Sequence, residues 1–217
     1  MEILLLLGAP FAGGVVLALW GHRSFAPELS SGMSLLTFLA AVGLTARIIS
    51  DGPMLAWNEA FFVDSFNVFL VALTAFVAFT TSLFSRPYMR IEAHTGRLSP
   101  NRLRLYHSMF QMFTFTMLLA LLTNNVGILW VAMEAATLTT VLLVSLYRTP
   151  ASLEAAWKYF ILCGVGIAQA LFGTVLLYMA SERAGIGEAG ALLWTQLDSV
   201  KGALDPRIMG PRPLLQN

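Results

Sequence analysis

The stretch VGILWVAMEAATLTTVLLVSLY, residues 126–147, decides how this chain folds. It is apolar apart from one carboxylate, Glu134, which a helix would place ~12 Å from the start of the stretch. A helix of this length crosses a hydrocarbon core ~30 Å thick. A carboxylate at that depth costs ~3 kcal/mol or more while it stays charged, and taking up and releasing a proton avoids the cost. The first hypothesis is therefore proton movement through a membrane.

Composition independently indicates a membrane protein. The chain is 57% hydrophobic and 12% charged, with a mean hydropathy of +0.73, whereas soluble domains carry about 25% charged residues. With a formal net charge of +1 and no run of Lys or Arg, we expect no nucleic-acid partner. The single cysteine, Cys163, lies in apolar sequence, which argues against disulfide, zinc or iron–sulfur ligation. No cofactor and no metal site is predicted.

Six apolar spans predict an all-α, polytopic membrane protein embedded in a lipid bilayer. The first follows an acidic residue and is too long for the apolar part of a signal peptide, so we expect a retained helix. The fourth is long enough to cross only if its helix starts near Leu103 or Tyr106. The predicted spans are Ile3–Trp20, Gly32–Ile49, Phe66–Phe84, Met109–Leu122, Val126–Tyr147 and Ala156–Met179.

Arginines fall on alternate connections between these spans. Arg23 follows the first span and Arg148 follows the fifth. The third connection is the richest and contains Arg86, Arg90, Arg97, Arg102 and Arg104. The second connection is acidic and the fourth is an Asn pair. The positive-inside rule therefore places the N-terminus and the end of the sixth span outside the cell membrane.

The chain divides into a transmembrane helical bundle, residues 1–180, and a tail, residues 181–217, that is richer in Gly and Pro. The tail predicts a short interfacial helix, and a poorly packed tail is the alternative. The apolar face of that helix would consist of Leu192, Leu193, Leu197, Val200 and Leu204. Within the bundle, Asn124 and Asn125 predict a tight turn with left-handed backbone, since Asn tolerates that geometry.

Glu134 and Lys158 are the main candidates for a proton path. Glu134 could instead be a hydrogen-bonded residue that only holds helices together, although ionisable groups inside a membrane are functional by default. Lys158 lies near the body of the sixth span, and the alternative is a side chain that extends to the headgroups. The two residues are expected at different depths, which favours a water-bridged relay over a direct ion pair.

Other polar residues are weaker candidates for the same path. His107 lies where a helix begins near a basic loop and could admit protons, whereas His22 and His94 are interpreted as ordinary loop residues. Thr137 could line a wet path, but Thr hydroxyls often bond back to their own helix. Gln169 is interpreted chiefly as an interhelical hydrogen bond. The sequence contains no phosphate-binding loop, CxxC motif or nucleophilic triad, so no catalytic residue and no redox chemistry is predicted in this chain.

Two stretches carry a family resemblance. Residues 124–138, NNVGILWVAMEAATL, resemble the antiporter-like membrane subunits of respiratory complex I and group 4 hydrogenases, and most of all the F-type subunits of hydrogenase 4. Residues 152–160, SLEAAWKYF, are similar to the start of the next helix in that family. Weaker similarity extends over most of the chain, through residues 85–90, 98–100, 171–176 and 204–206.

The resemblance implies that Glu134 is the glutamate of the family's proton channel and that Lys158 is the basic residue along that channel. It implies partner subunits in a hydrogenase or complex-I-like assembly, where the redox chemistry would take place. Family members are longer and consist of two inverted repeats. After Leu204-Asp205-Pro206 this chain reads on to Asn217 without entering the next helix of the family. A truncated subunit is therefore expected.

Three functional interpretations stay open at this point. The first is a hydrogenase-4 or complex-I-like membrane subunit that contributes part of a proton path. The second is part of a cation/proton antiporter or of a bicarbonate-uptake complex built on the same fold. The third is a fragment that inserts and packs but conducts nothing.

Overall fold

A computed structural model describes residues 1–23, 25–183, 185–187 and 190–199. Within these residues the fold is helical, with one small antiparallel hairpin, and a 3₁₀ turn at Ser145–Tyr147 extends the fifth helix. The elements in chain order are α1 (Glu2–Trp20), α2 (Ala26–Asp51), β1 (Met54–Ala56), β2 (Phe61–Val63), α3 (Ser65–His94), α4 (Pro100–Leu122), α5 (Val126–Val144), α6 (Pro150–Arg183) and α7 (Trp194–Ser199).

Helices α1 to α6 are each long and apolar enough to cross a membrane, which confirms the six predicted spans among the described residues. Helix α4 begins at Pro100, slightly before the start that the sequence required, because Ser99 and Pro100 supply an extended residue followed by a proline in the first turn. Helix α6 begins at Pro150. Two residues earlier, Arg148 adopts a left-handed conformation with φ of 51°. The proline therefore starts the sixth helix after the chain has turned.

The core lies among α1, α2, α3 and α4. Its largest members include Leu6, Leu17, Leu44 and Leu118, all with 0% exposure. Helix α1 packs against α4 and α2, while α2 also packs along α3. At Gly14 of α1 the two backbones come close enough for the Ser108 hydroxyl of α4 to donate to the Gly14 carbonyl, at 2.8 Å. Small residues thus allow close helix contact, as in other membrane bundles.

One end of the bundle, which we call the arginine end, collects the connections that follow α1, α3 and α5. Arg86 and Arg90 of α3 both donate to Glu28 of α2. Arg102 of α4 donates to the Tyr147 carbonyl at 3.2 Å, and the hydroxyls of Tyr88 and Tyr147 form a hydrogen bond of 3.2 Å. The alternation of basic connections found in the sequence therefore agrees with the fold.

The opposite end, which we call the hairpin end, contains an element that the sequence analysis did not predict. Strands β1 and β2 pair in antiparallel register, with Met54 opposite Val63. The turn between them places Trp57, Asn58 and Glu59 at positive φ, a conformation in which bulky side chains are rare. The acidic second connection is thus folded onto the bundle.

The predicted left-handed turn at the Asn pair was wrong. Asn125 has φ of −102° and caps α5, because its side-chain oxygen accepts hydrogen bonds from the Gly127 and Ile128 amides at 2.9 and 3.1 Å. The Asn124 side chain instead donates to the Glu59 carbonyl at 2.9 Å. A local helix cap therefore determines the conformation of Asn125, and docking of the hairpin determines that of Asn124.

The described part of the tail folds back on the start of α5. The Val126 amide donates to the Leu192 carbonyl at 2.9 Å, and Asn124 donates to the Thr195 hydroxyl at 3.0 Å. Helix α7 follows, with Leu197 buried. Of the apolar face predicted for a tail helix, Val200 and Leu204 lie outside the described residues, as does the stretch 205–217.

Candidate functional site

Helix α5 carries Glu134 about 12 Å from its capped start, at ~1.5 Å per residue. Trp130 and Leu138 share its face of the helix, one turn before and one turn after. Trp130 donates its indole N–H to the Ile167 carbonyl of α6 at 2.8 Å, and Leu138 lines an apolar cleft of about 470 Å³ between α5 and α6. Glu134 therefore lies on the face of α5 whose neighbouring residues Trp130 and Leu138 contact α6 or line the cleft beside it.

The hydrogen bond from Trp130 to the Ile167 carbonyl defines how α5 and α6 lie against each other. Since the two helices run antiparallel, Cys163 lies at about the level of Glu134. Lys158 then lies ~7 Å nearer the arginine end than Glu134, at ~1.5 Å per residue. The expectation of different depths for the two residues agrees with this register.

The Glu134 side chain is half-buried. Among the residues that the structure describes, none forms an ion pair with it. The side chains one turn away on the same face are those of Trp130, Thr137 and Leu138, an indole, one hydroxyl and a leucine.

Lys158 forms an ion pair with Glu154, one turn earlier on α6. Both side chains are exposed, by 70% for Lys158 and 65% for Glu154. The pair lies in the first three turns of a helix whose most apolar 18-residue window has 0% of its residues buried. Sequence reasoning overlooked Glu154, although its spacing of four residues before a lysine is a recognisable signal.

Two of the weaker candidates lie on the same helix pair. The Thr137 hydroxyl donates to the Met133 carbonyl at 3.1 Å, and Thr140 donates to Ala136 at 2.9 Å, so both bond back to their own helix as the sequence analysis anticipated. Gln169 is exposed on α6, and no described helix presents a hydrogen-bond partner to it. The interhelical hydrogen bond expected for Gln169 is therefore not formed among the described residues.

His107 lies away from this pair, near the start of α4. It is 3% exposed and lines a cavity of about 250 Å³ at the arginine end. His22 and His94, interpreted from sequence as ordinary loop residues, line the same cavity. The three histidines come from three different elements, so no sequence spacing could have revealed that they meet.

Sequence reasoning also missed a polar cluster inside the bundle. Gln111 of α4 is 0% exposed and donates to the Ser30 carbonyl at 2.7 Å and to the Ser34 hydroxyl at 2.9 Å. Its side-chain oxygen is buried and has no partner among the described residues. An amide in an apolar span was the available signal, since polar side chains there often join helices.

The transmembrane part of a known family matches this helix pair. Residues 123–200 match the family described as NADH:quinone oxidoreductase/Mrp antiporter, TM. The matched segment contains α5, α6 and α7, and therefore both Glu134 and Lys158.

Relatives in respiratory complexes cover more of the chain. The hydrogenase-4 component F homolog of Methylacidiphilum infernorum is 46% identical over 201 residues, which are 92% of this chain and 41% of the relative. NADH-quinone oxidoreductase subunit N of Thiobacillus denitrificans is 25% identical over 170 residues, 76% of this chain and 33% of the relative. The chain thus spans less than half the length of the curated relatives that it matches.

A solved structure shares the fold. It is the membrane-bound sulfane sulfur reductase, an archaeal respiratory membrane complex, and one of its chains superposes with a TM-score of 0.77 at 20% identity. The match covers 96% of this chain and 42% of that chain. The resemblance found in the sequence is confirmed: the chain is a multi-pass membrane protein related to the antiporter-like membrane subunits of respiratory complexes, of the hydrogenase-4 F and complex I N types.

Proposed function

We propose that this chain contributes part of a proton-translocation path to a hydrogenase-4 or complex-I-like respiratory complex, with Glu134 and Lys158 as the residues that exchange protons. The redox chemistry belongs to partner subunits. The observation that carries the proposal is the position of Glu134, a half-buried carboxyl group in the middle of a membrane-crossing helix, with no ion pair among the described residues.

The Glu154–Lys158 pair supports the same proposal. Two opposite charges on the exposed face of a membrane-crossing helix are costly in lipid, because ionisable groups there normally face protein or water. A further part of the subunit that covers this face would remove the pair from lipid. The same covering part would also enclose the cleft between α5 and α6 and allow a chain of waters to form between Glu134 and Lys158.

His107, Thr137 and Gln169 are secondary members of the proposed path. His107 is buried at the arginine end, which the positive-inside rule assigns to the cytoplasm. Gln169 lies on α6 two residues beyond Ile167, the contact of Trp130, and hence on the hairpin side of Glu134. These positions would extend the path in both directions from Glu134.

A second candidate function is part of a cation/proton antiporter. The description of the matched family names Mrp antiporters together with NADH:quinone oxidoreductases, and the helix pair that carries Glu134 lies within the matched segment. The two functions differ in the ion carried and in the partners. Sodium-dependent proton movement without any electron donor would favour the antiporter.

The test uses the chain in its native complex. In the source organism, Glu134→Gln would be introduced at the gene, and inverted membrane vesicles would be supplied with the electron donor of the complex. We expect electron transfer to continue while acidification of the vesicle interior falls, because Gln keeps the shape of the side chain and cannot release a proton. Glu182→Gln is the matched control, since Glu182 is exposed at the end of α6.

The outcome has two readouts that separate assembly from conduction. Native electrophoresis of the complex should show the same assembly in wild type and in both variants. Acidification that stays at the wild-type rate in an assembled Glu134→Gln complex would contradict the role of Glu134. Lys158→Gln should behave as Glu134→Gln does, whereas a loss of assembly on Lys158→Gln would assign Lys158 a structural role.

A further inference from the structure

The cavity at the arginine end has a basic lining. Among the described residues, its charged and imidazole lining consists of two arginines and all three histidines of the chain, and includes no carboxylate. They come from the α1–α2 connection, the end of α3 and the start of α4. The five residues are His22, Arg23, Arg90, His94 and His107.

His107 forms the floor of this cavity. It is 97% buried, since its exposure is 3%, and among the described residues no hydrogen bond reaches its ring. Its only described ring neighbour is Tyr106, at a centroid distance of 5.2 Å. A buried imidazole that opens into a cavity without a partner is an unfilled hydrogen-bonding group, and such groups normally have a partner in the protein or in a bound molecule.

The charge around the cavity is positive before any histidine is protonated. Two carboxylates adjoin lining residues in sequence: Glu28 accepts from Arg86 and Arg90, and Glu92 accepts from Arg97. With Arg23 included, four arginines therefore face two carboxylates, which leaves two positive charges. A group that fills the cavity and pairs with this lining must be an anion, because charge-assisted hydrogen bonds from Arg and His favour phosphate or carboxylate oxygens.

We infer that the cavity binds the phosphodiester headgroup of an anionic phospholipid. Trp20 and Phe25 lie just before and just after the lining residues of the α1–α2 connection, and their side chains are 46% and 44% exposed. Exposed aromatic side chains at helix ends are typical of the membrane interface, where they lie beside headgroups. Basic pockets between helices on the cytoplasmic side are sites where anionic headgroups bind. A lipid would thereby join the α1–α2 connection to α3 and α4.

The test measures lipid retention by the full chain. The chain would be purified in detergent, mixed with equal amounts of phosphatidylglycerol and phosphatidylcholine of the same acyl chains, and analysed by native mass spectrometry. We expect preferential retention of phosphatidylglycerol. Arg23→Gln should lower that retention about fivefold, the effect of one positive charge near an anionic lipid. Arg148→Gln is the matched control, because Arg148 is exposed at the same end and outside the cavity.

A second variant distinguishes the cavity from diffuse surface charge. Ala93→Leu enlarges a side chain that lines the cavity and changes no charge. It should therefore reduce the retention of phosphatidylglycerol, whereas Arg148→Gln should leave that retention at the wild-type level. Circular dichroism would verify that Arg23→Gln, a change in an exposed connection, keeps its helices.

Three outcomes would overturn the inference. The first is equal retention of the two lipids by the wild-type chain. The second is equal retention of phosphatidylglycerol by Arg23→Gln and Arg148→Gln. The third is complete displacement of phosphatidylglycerol by excess inorganic phosphate, which would identify a site for free phosphate rather than for a lipid.

Discussion

Helices α1 and α6 have the same mean hydropathy in their most apolar windows, yet 44% of that window is buried in α1 and none of it in α6. Helix α1 packs on α2 and α4, while among the described residues α6 packs chiefly on α5. Hydropathy therefore predicts that both helices enter a membrane and says nothing about which of them has protein neighbours. In this chain α1–α4 form a packed unit, and α5, which packs on α4, carries α6 on its other side. We call α5–α6 the open unit, because the apolar window of α6 is uncovered by the described residues.

The glycines of the two helices make the same contrast. A Cβ added at Gly13 or Gly14 of α1 would meet Met33 or Met112 at 3.1 and 2.7 Å. A Cβ added at Gly164, Gly166 or Gly173 of α6 would meet nothing within 4 Å. Glycines permit close helix approach, and on α1 that approach is realised. On α6 the glycines have no described side chain or neighbouring helix within 4 Å of an added Cβ.

The largest expected effect on the free energy of unfolding comes from truncating a buried leucine of the packed unit, compared with an exposed leucine of α6. Leu118→Ala in α4 should lower the free energy of unfolding by about 2–5 kcal/mol, because the side chain is fully buried and its removal leaves a cavity. Leu162→Ala in α6, where Leu162 is 75% exposed, should change it by less than about 0.5 kcal/mol. Unfolding of the detergent-solubilised chain by dodecyl sulfate, followed by circular dichroism, measures both.

Equal costs for the two leucines would break the comparison. Such a result would mean that α6 is covered in the isolated chain by a second copy or by the tail. Chemical crosslinking of the same samples would then distinguish a dimer from a monomer.

The next effect concerns overpacking. Gly14→Leu should destabilise the chain by about 1–3 kcal/mol, because the new side chain must displace Met112 and presses on the Ser108 carbonyl. Gly164→Leu should be neutral or slightly stabilising, because nothing lies within 4 Å and leucine favours a helix more than glycine does. The same unfolding measurement applies. A destabilising Gly164→Leu in the isolated chain would show that α6 already has a close neighbour.

The sequence predicted the elements that depend on local composition and missed those that depend on tertiary placement. The six spans and the alternation of basic connections follow from hydropathy and charge, which each residue carries by itself. The hairpin escaped detection because its strands, Met54–Ala56 and Phe61–Val63, are three residues long and their turn uses Trp57 and Glu59 where glycine is usual.

The candidate site divides in the same way. Glu134 and Lys158 were visible because a charge in an apolar span is anomalous whatever surrounds it. Glu154, the partner of Lys158, was overlooked although its spacing of four residues is a local signal. The buried environment of Gln111 and the meeting of three histidines, in contrast, required the packing of α2, α3 and α4 to be known. Asn124 and Asn125 were misinterpreted because an isolated Asn pair suggests a turn. In the structure, Asn125 caps α5, and Asn124 forms hydrogen bonds with both the hairpin and the tail.

A smaller effect tests how α5 is held to α6. Trp130→Phe removes the hydrogen bond to the Ile167 carbonyl and keeps an aromatic ring, so the free energy of unfolding should fall by about 0.6 kcal/mol, the average for such bonds inside a membrane. Trp157→Phe is the control, since Trp157 is 63% exposed on α6. A loss of several kcal/mol on Trp130→Phe would instead identify this bond as the main connection of the open unit.

The last prediction concerns function: in the isolated chain, Glu134→Gln should not change the rate of proton leak. Proton transfer across a core ~30 Å thick requires a continuous series of titratable groups and waters. Between the Asn125 cap and Glu134, α5 contributes only apolar side chains, and Thr137 and Thr140 are bonded to their own helix. The cleft between α5 and α6, which Leu138 lines one turn after Glu134, is almost entirely apolar. The described groups therefore do not form a continuous path.

Vesicles containing the isolated chain, loaded with a pH-reporting dye and given an imposed potential, should leak protons at the same rate as vesicles containing Glu134→Gln. Addition of a protonophore should then collapse the gradient in both, which verifies that the dye responds. A faster leak that depends on Glu134 would mean that α5 and α6 conduct without a cover, and the contrast between the packed and open units would lose its functional meaning. An equal leak, together with loss of acidification by Glu134→Gln in the native complex, would show that Glu134 acts only when the face of α6 is covered.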